Sequence, residues 1–82
     1  MTTDLARMTA LAVLDREVLE VRARLIEVGA TLDRIARGEN PADVADDPRL
    51  ATIREALAVL ADPQGDDRAE RVQMVFSLPA DE

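Results

Sequence analysis

The feature that most limits the fold of this chain is a run of aliphatic residues that recur every three and four residues alternately. They are Leu11, Leu14, Val18, Val21, Leu25, Val28, Leu32 and Ile35. This spacing places all of them on one side of an α-helix and is typical of a coiled coil or helical bundle. We call these eight residues the seam. The alternative interpretation is an ordinary amphipathic helix inside a monomeric bundle.

A second apolar line lies beside the seam. Ala12, Leu19 and Ile26 lie about 100° around the helix from one edge of the seam, which makes the apolar face wider than a two-stranded coil needs. A plain two-stranded coil would leave this line in water. We therefore expect a shorter helix of the same chain to fold back and cover Leu19 and Ile26.

The helix that carries the seam is predicted to run from about residue 4 to residue 37. Thr2 or Thr3 is expected to cap its N-terminus, where Asp4 suits the positive end of the helix dipole. Gly38 follows the last turn as a stop signal. A helix of this length measures roughly 50 Å, which is too long for the remaining chain to cover on every side.

Gly29 is the residue inside this segment that opposes helix formation. Glycine costs about 1 kcal/mol relative to alanine in a helix interior. Its presence fits a close crossing of a second helix, a bend, or the true end of a shorter helix, and we favour the close crossing.

Shorter elements are expected after the long helix. Asn40–Pro41 can start a single helical turn, Asp47–Pro48 is a stronger start signal, and Asp62–Pro63 ends the helix that it opens. The predicted boundaries are a connector over residues 38–47, a helix over about 48–61, a short helix over about 67–77 and a frayed tail over 78–82.

The predicted fold is all-α, with one or two shorter helices folding back on a long N-terminal helix as a hairpin or bundle, in a single domain over residues 1–82. A core this small rarely supplies more than about 3–5 kcal/mol without a disulfide, a metal or a partner chain. The chain has no cysteine and one aromatic residue, Phe76. We therefore expect oligomerisation to complete the fold, as a dimer or tetramer.

The seam also bears on orientation. One repeating position of the seam is mostly leucine and the other is mostly β-branched: Leu11, Val18, Leu25 and Leu32 against Leu14, Val21, Val28 and Ile35. This distribution disfavours a simple parallel dimer. An antiparallel dimer of hairpins, forming a four-helix bundle, is the preferred arrangement. A parallel in-register pair would instead place Glu17 of one chain opposite Arg22 of the other, which is an attractive contact.

The charge of the chain is concentrated in its second half. Acidic and basic residues balance over residues 1–38, whereas residues 39–82 account for the net charge of −7. Such a field opposes direct binding to nucleic acid and to anionic membranes and favours a basic partner. We see no targeting segment and no run long enough to span a bilayer, and we expect a cytoplasmic location.

Few catalytic chemistries are open to this composition. The absence of histidine and cysteine excludes the common nucleophile, acid–base and zinc arrangements, and we expect no enzyme activity, no cofactor and no metal. The two aspartate clusters, Asp43 with Asp46 and Asp47, and Asp62 with Asp66 and Asp67, lie where helix caps belong, and we interpret them as caps.

The function expected from these features is a helical protein–protein interaction module, which self-associates or serves as a small accessory or adaptor subunit through the seam. The alternative is an acidic inhibitor, antitoxin or immunity-type protein that blocks a basic site with residues 39–82. Val72, Val75 and Phe76 form the apolar side of the last helix, where Phe76 either closes the end of the bundle or anchors a short docking segment.

Overall fold

The computed structural model describes residues 8–77, and within them it contains helices and no strand. The elements are α1 (Ala10–Arg37), a 3₁₀ turn (Pro41–Val44), α2 (Pro48–Ala61) and α3 (Arg68–Ser77). The all-α prediction is therefore confirmed, whereas the bundle arrangement and the oligomer stay predictions. The chain divides into two compact units, Met1–Glu39 and Asn40–Glu82. The single-domain prediction is not tested by this division.

The first unit consists of α1, which begins later than the sequence predicts. Thr9 has an extended backbone and its Oγ1 accepts a hydrogen bond from the N–H of Ala12 at 3.0 Å. This bond satisfies one of the free N–H groups of the first turn, so Thr9 sets the start of α1 at Ala10. The predicted caps Thr2 and Thr3 lie outside the described residues.

α1 continues through Gly29 and ends as predicted at Arg37. The interpretation of Gly29 as a helix end is therefore wrong. A Cβ built on Gly29 would meet no atom within 4 Å among the residues described. Gly38 caps the helix with its N–H bonded to the carbonyl of Ile35 at 3.2 Å. Its backbone is extended, and the left-handed conformation falls instead on Asn40, with φ of 56°.

The second unit opens with a helical turn at Pro41–Val44 and continues into α2, which spans Pro48–Ala61. Asp47 caps α2 because its carboxylate accepts a hydrogen bond from the N–H of Arg49 at 2.8 Å, and Pro48 supplies the first helical residue without losing a needed donor. Asp62 takes the extended conformation that ends α2, as expected for a residue before proline.

α3 packs against α2 in this unit, and it spans Arg68–Ser77 where the sequence predicts a helix over about 67–77. Two arginines of α3 reach back to Asp62: the guanidinium of Arg68 donates to the backbone carbonyl, and that of Arg71 lies 3.1 Å from the carboxylate. Gly65, with φ of +82°, makes the turn between the helices. These contacts fasten the start of α3 to the end of α2.

Very little of the chain is buried. Of the residues that the structure describes, Ala56 alone is buried, at 6% exposure. A small alanine at this position in α2 allows another element to approach closely but contributes little apolar area. The described residues therefore lack the interior of large side chains that usually stabilises a folded domain.

Gly29 supplies a test of how crowded the surface of α1 is. Because nothing occupies the space of a Cβ, we expect Gly29→Ala to raise the free energy of unfolding by about 0.5–1 kcal/mol through better helix propensity. Chemical denaturation followed by circular dichroism measures it. A loss of stability would instead indicate a second helix crossing closely at Gly29.

Candidate interaction surface

The seam lies along one side of α1 and is largely exposed. Six of its residues, Leu11, Leu14, Val18, Val21, Leu25 and Val28, have exposures between 42% and 66%. Leu32 is half-buried, and Ile35 is the least exposed of the remainder at 37%. The structure thus places the predicted seam residues together as a continuous apolar strip that is most open over its first three-quarters.

The second apolar line is also open. Leu19 is 75% exposed and Ile26 is 55% exposed, whereas Ala12 is half-buried. The predicted covering of Leu19 and Ile26 by a shorter helix is not confirmed and stays a prediction. On α1 itself these side chains widen the strip on the flank that also carries Asp15 and Arg22.

Charged side chains border the seam on both flanks. On one flank Glu17 lies 3.8 Å from Arg16, and Arg24 forms a closer ion pair with Glu20 at 3.0 Å. On the other flank lie Asp15 and Arg22, which the sequence also places next to the seam.

Asp15 and Arg22 differ from the charges of the first flank, because neither takes part in an ion pair within residues 8–77. Each is exposed and free to meet a charge from another chain. Sequence reasoning singled out Glu17 and Arg22 but missed Asp15 and Arg24, although their spacing from the seam was the available signal.

The second unit presents a mainly acidic surface. Arg49 forms a two-point contact with Asp47, through Nε at 3.0 Å and Nη2 at 2.8 Å, and Arg71 lies near both Asp62 and Asp67. Several other carboxylates form no ion pair within the part of the chain that the structure describes: Asp43, Asp46, Glu55, Asp66 and Glu70. Of the four arginines in this unit, Arg49 and Arg71 pair with carboxylates and Arg68 donates to a backbone carbonyl. The carboxylates outnumber the arginines, so the net charge of the unit is negative.

Asp47 and Asp62 are held in their charged form. Hydrogen bonds from the side chain and then the backbone of Arg49 lower the pKa of Asp47 to about 2. The N–H of Gln64 and then the guanidinium of Arg71 lower the pKa of Asp62. Asp47 and Asp62 therefore act as helix-terminal anchors, as the capping interpretation expects, rather than as acid–base groups near neutral pH.

The predicted docking segment on α3 has a mixed environment. Val72 and Val75 are half-buried, whereas Phe76 is 55% exposed. The ring does not close a core within the described residues, and its role as a docking anchor stays a prediction.

Between residues 8 and 77 no three carboxylates gather in a way that could hold a metal ion, and none of the helices there combines the length and apolarity needed to cross a bilayer. Searches against protein families, curated proteins and solved structures return no match to this chain.

The lowered pKa of Asp47 predicts how stability depends on pH. In the unfolded chain this carboxyl has an ordinary pKa near 4, so its contribution to stability is present above that pH and is lost as the pH falls toward about 2. We expect Asp47→Asn to be less stable than the native chain at pH 6, and the difference to shrink over that window.

Denaturant unfolding at a series of pH values measures this difference. Asp46→Asn is the matched control, because the Asp46 side chain accepts no hydrogen bond within the described residues. A difference between Asp47→Asn and the native chain that stays constant down to pH 2 would contradict the role given to Asp47.

Proposed function

We propose that this chain is a non-enzymatic helical interaction module that associates through the seam of α1, either with itself or as a small accessory or adaptor subunit of another helical protein. The observation that supports the proposal is the exposure of seven of the eight seam residues in a chain whose described part buries only Ala56.

The physical argument rests on the cost of leaving such a strip in water. Moving a valine, leucine or isoleucine side chain from an exposed to a buried position contributes about 1.5–3 kcal/mol. The six most open seam residues span Leu11–Val28, about 25 Å of helix. Soluble monomers rarely keep a contiguous apolar strip of this size exposed, and such strips usually mark protein interfaces.

A second argument comes from stability. Single helices gain most of their stability from packing of an apolar face, and the apolar face of α1 is largely exposed. Association therefore supplies what the chain lacks: a core formed between chains. In this proposal the polar side of α1 stays solvated and carries no chemistry.

The charge of the second unit favours a second candidate function. Arg49 and Arg71 are paired with Asp47, Asp62 and Asp67, and the other carboxylates of the unit can face a partner. An acidic inhibitor, antitoxin or immunity-type protein would use such a surface to occupy a basic site on its target, with association that depends strongly on salt.

The seam proposal is tested with two single variants, each of which adds one negative charge to α1. Val21→Asp places a carboxylate in the middle of the seam, and we expect it to weaken association at least about 10-fold because a buried unpaired charge is strongly disfavoured. Ala23→Asp is the matched control, since Ala23 is exposed on the opposite side of α1. Sedimentation velocity and light scattering measure the mass of each variant.

Two outcomes would contradict this proposal. Equal weakening by Val21→Asp and Ala23→Asp would show that the seam is not the interface. A native chain that stays monomeric at micromolar concentration would rule out the self-associating form and leave only association with another helical protein.

The acidic candidate makes a separate prediction about salt. A partner held by the carboxylates of the second unit should be captured from a host extract at about 50 mM salt and lost at about 500 mM, because the screening length falls from more than about 10 Å to well below it over this range. Glu55→Gln combined with Asp46→Asn should weaken the capture, whereas Ala23→Asp should not. Capture that is equal at both salt concentrations would count against the candidate.

A further inference from the structure

We propose that the occupant of the seam is a second copy of this chain, packed antiparallel in the register that sets Val18 of each copy against Val21 of the other. This proposal rests on the function proposed above and names the partner, the orientation and the register. In this arrangement Leu14 faces Leu25, and Leu11 faces Val28, of the second copy.

The first step of the argument is geometric. An antiparallel pair of identical helices is related by a two-fold axis perpendicular to both, so each flank of the seam meets the same flank of the other copy. Glu17 and Arg24 lie immediately before the seam residues Val18 and Leu25. They therefore face each other across one side of the pair. Asp15 and Arg22 face each other across the other side.

The charges then select among the registers that keep the seam in contact. Successive registers differ by seven residues, because the seam repeats with that period. With Val18 against Val21, Asp15 of each copy lies nearest Arg22 of the other, and Glu17 lies nearest Arg24. Every flanking contact is then between opposite charges.

The neighbouring registers lack this complementarity. Full overlap, with Leu11 against Ile35, brings Arg22 near its own counterpart and Arg24 near its own counterpart. A shift by seven residues in the other direction brings Asp15 near Asp15 and Glu17 near Glu17. Like charges opposite each other across a helical interface select against a register.

The exposure of the seam gives an independent indication of the same register. The residues that it pairs are those from Leu11 to Val28, each at least 42% exposed. Two seam residues, Leu32 and Ile35, lie beyond the overlap in this register. Leu32 is half-buried, and Ile35, at 37%, is less exposed than any seam residue from Leu11 to Val28. Surface that is already partly covered gains least from a partner, so the overlap falls on the part of the seam with most to gain.

The ion pairs present within one chain are compatible with this arrangement. Asp15 and Arg22 have no ion-pair partner in residues 8–77 and can be matched fully by the second copy. Arg24 forms an ion pair with Glu20 at 3.0 Å. A guanidinium has five N–H donors, so Arg24 can also donate to the carboxylate of Glu17 in the second copy.

A parallel pair fits these observations less well. It matches Glu17 with Arg22 of the second copy but leaves Asp15 and Arg24 without an opposite charge. It also brings both acidic second halves, residues 39–82, to the same end of the helices. In the antiparallel register the two points where these halves begin are roughly 60 Å apart, well beyond the screening length of about 10 Å.

A charge-reversal experiment on the full chain separates the two orientations. Arg22→Glu places like charges opposite each other in either orientation, and we expect it to raise the dissociation constant about 10-fold at low salt. Asp15→Arg added to Arg22→Glu should restore native affinity in the antiparallel register. Glu17→Arg added to Arg22→Glu is the matched control, since both double variants keep the native net charge of −7.

A disulfide cross-linking experiment determines the register. The chain has no native cysteine, so only the introduced cysteines can form a disulfide. We mix Leu11→Cys with Val28→Cys, one of the two carrying a mass tag, and oxidise. The expected product is the mixed disulfide. Leu11→Cys mixed with Ile35→Cys is the control for the full-overlap register and should cross-link less.

The outcomes distinguish failure of this proposal from failure of the proposed function. Rescue by Glu17→Arg, or self-cross-linking of Leu11→Cys alone, would overturn the antiparallel arrangement while leaving the seam as the interface. Cross-linking of Leu11→Cys with Ile35→Cys would overturn the register. A native chain that is monomeric at all concentrations tested would overturn this proposal and the self-associating function together.

Discussion

The structure depends on one constraint: the aliphatic residues of this chain are arranged along a helix rather than around an interior. A 3-4 spacing keeps Leu11 to Ile35 on one side of α1, and the described residues bury only Ala56. Because apolar surface is stabilised only when it leaves water, we propose that the missing interior is formed between chains. The proposed interaction function follows from this shortage of core more than from any individual side chain.

The charged residues have two different uses in the two units. In the second unit, two aspartates make contacts within the chain. Asp47 caps the start of α2, and Asp62 at the end of α2 binds Arg68 and Arg71 of α3. Along α1 the charges beside the seam are left at the surface, where they contribute little to the stability of one chain. In the proposed antiparallel dimer, their order along the sequence makes one register attractive and the neighbouring registers repulsive.

Local signals explain why most element boundaries could be predicted. Asp47–Pro48 and Asp62–Pro63 restrict the backbone through short-range sterics and capping bonds, and the predicted bounds of α2 are those observed. Gly38 likewise marks the end of α1. The start of α1 was harder, because several threonines precede the seam and only the hydrogen bond between Thr9 and Ala12 identifies the one that caps the described helix.

The sequence by itself determined the helical class, the face on which the seam lies and the location of the net charge, since these depend on residue type and on the period of the α-helix. Only the tertiary structure decided which apolar residues stay exposed, and that Arg68 and Arg71 fasten α3 to Asp62. Those outcomes depend on the path of the chain between helices, where Gly65 turns it back. Spacing along a helix fixes which side chains are neighbours on that helix, but it does not specify what approaches them from elsewhere.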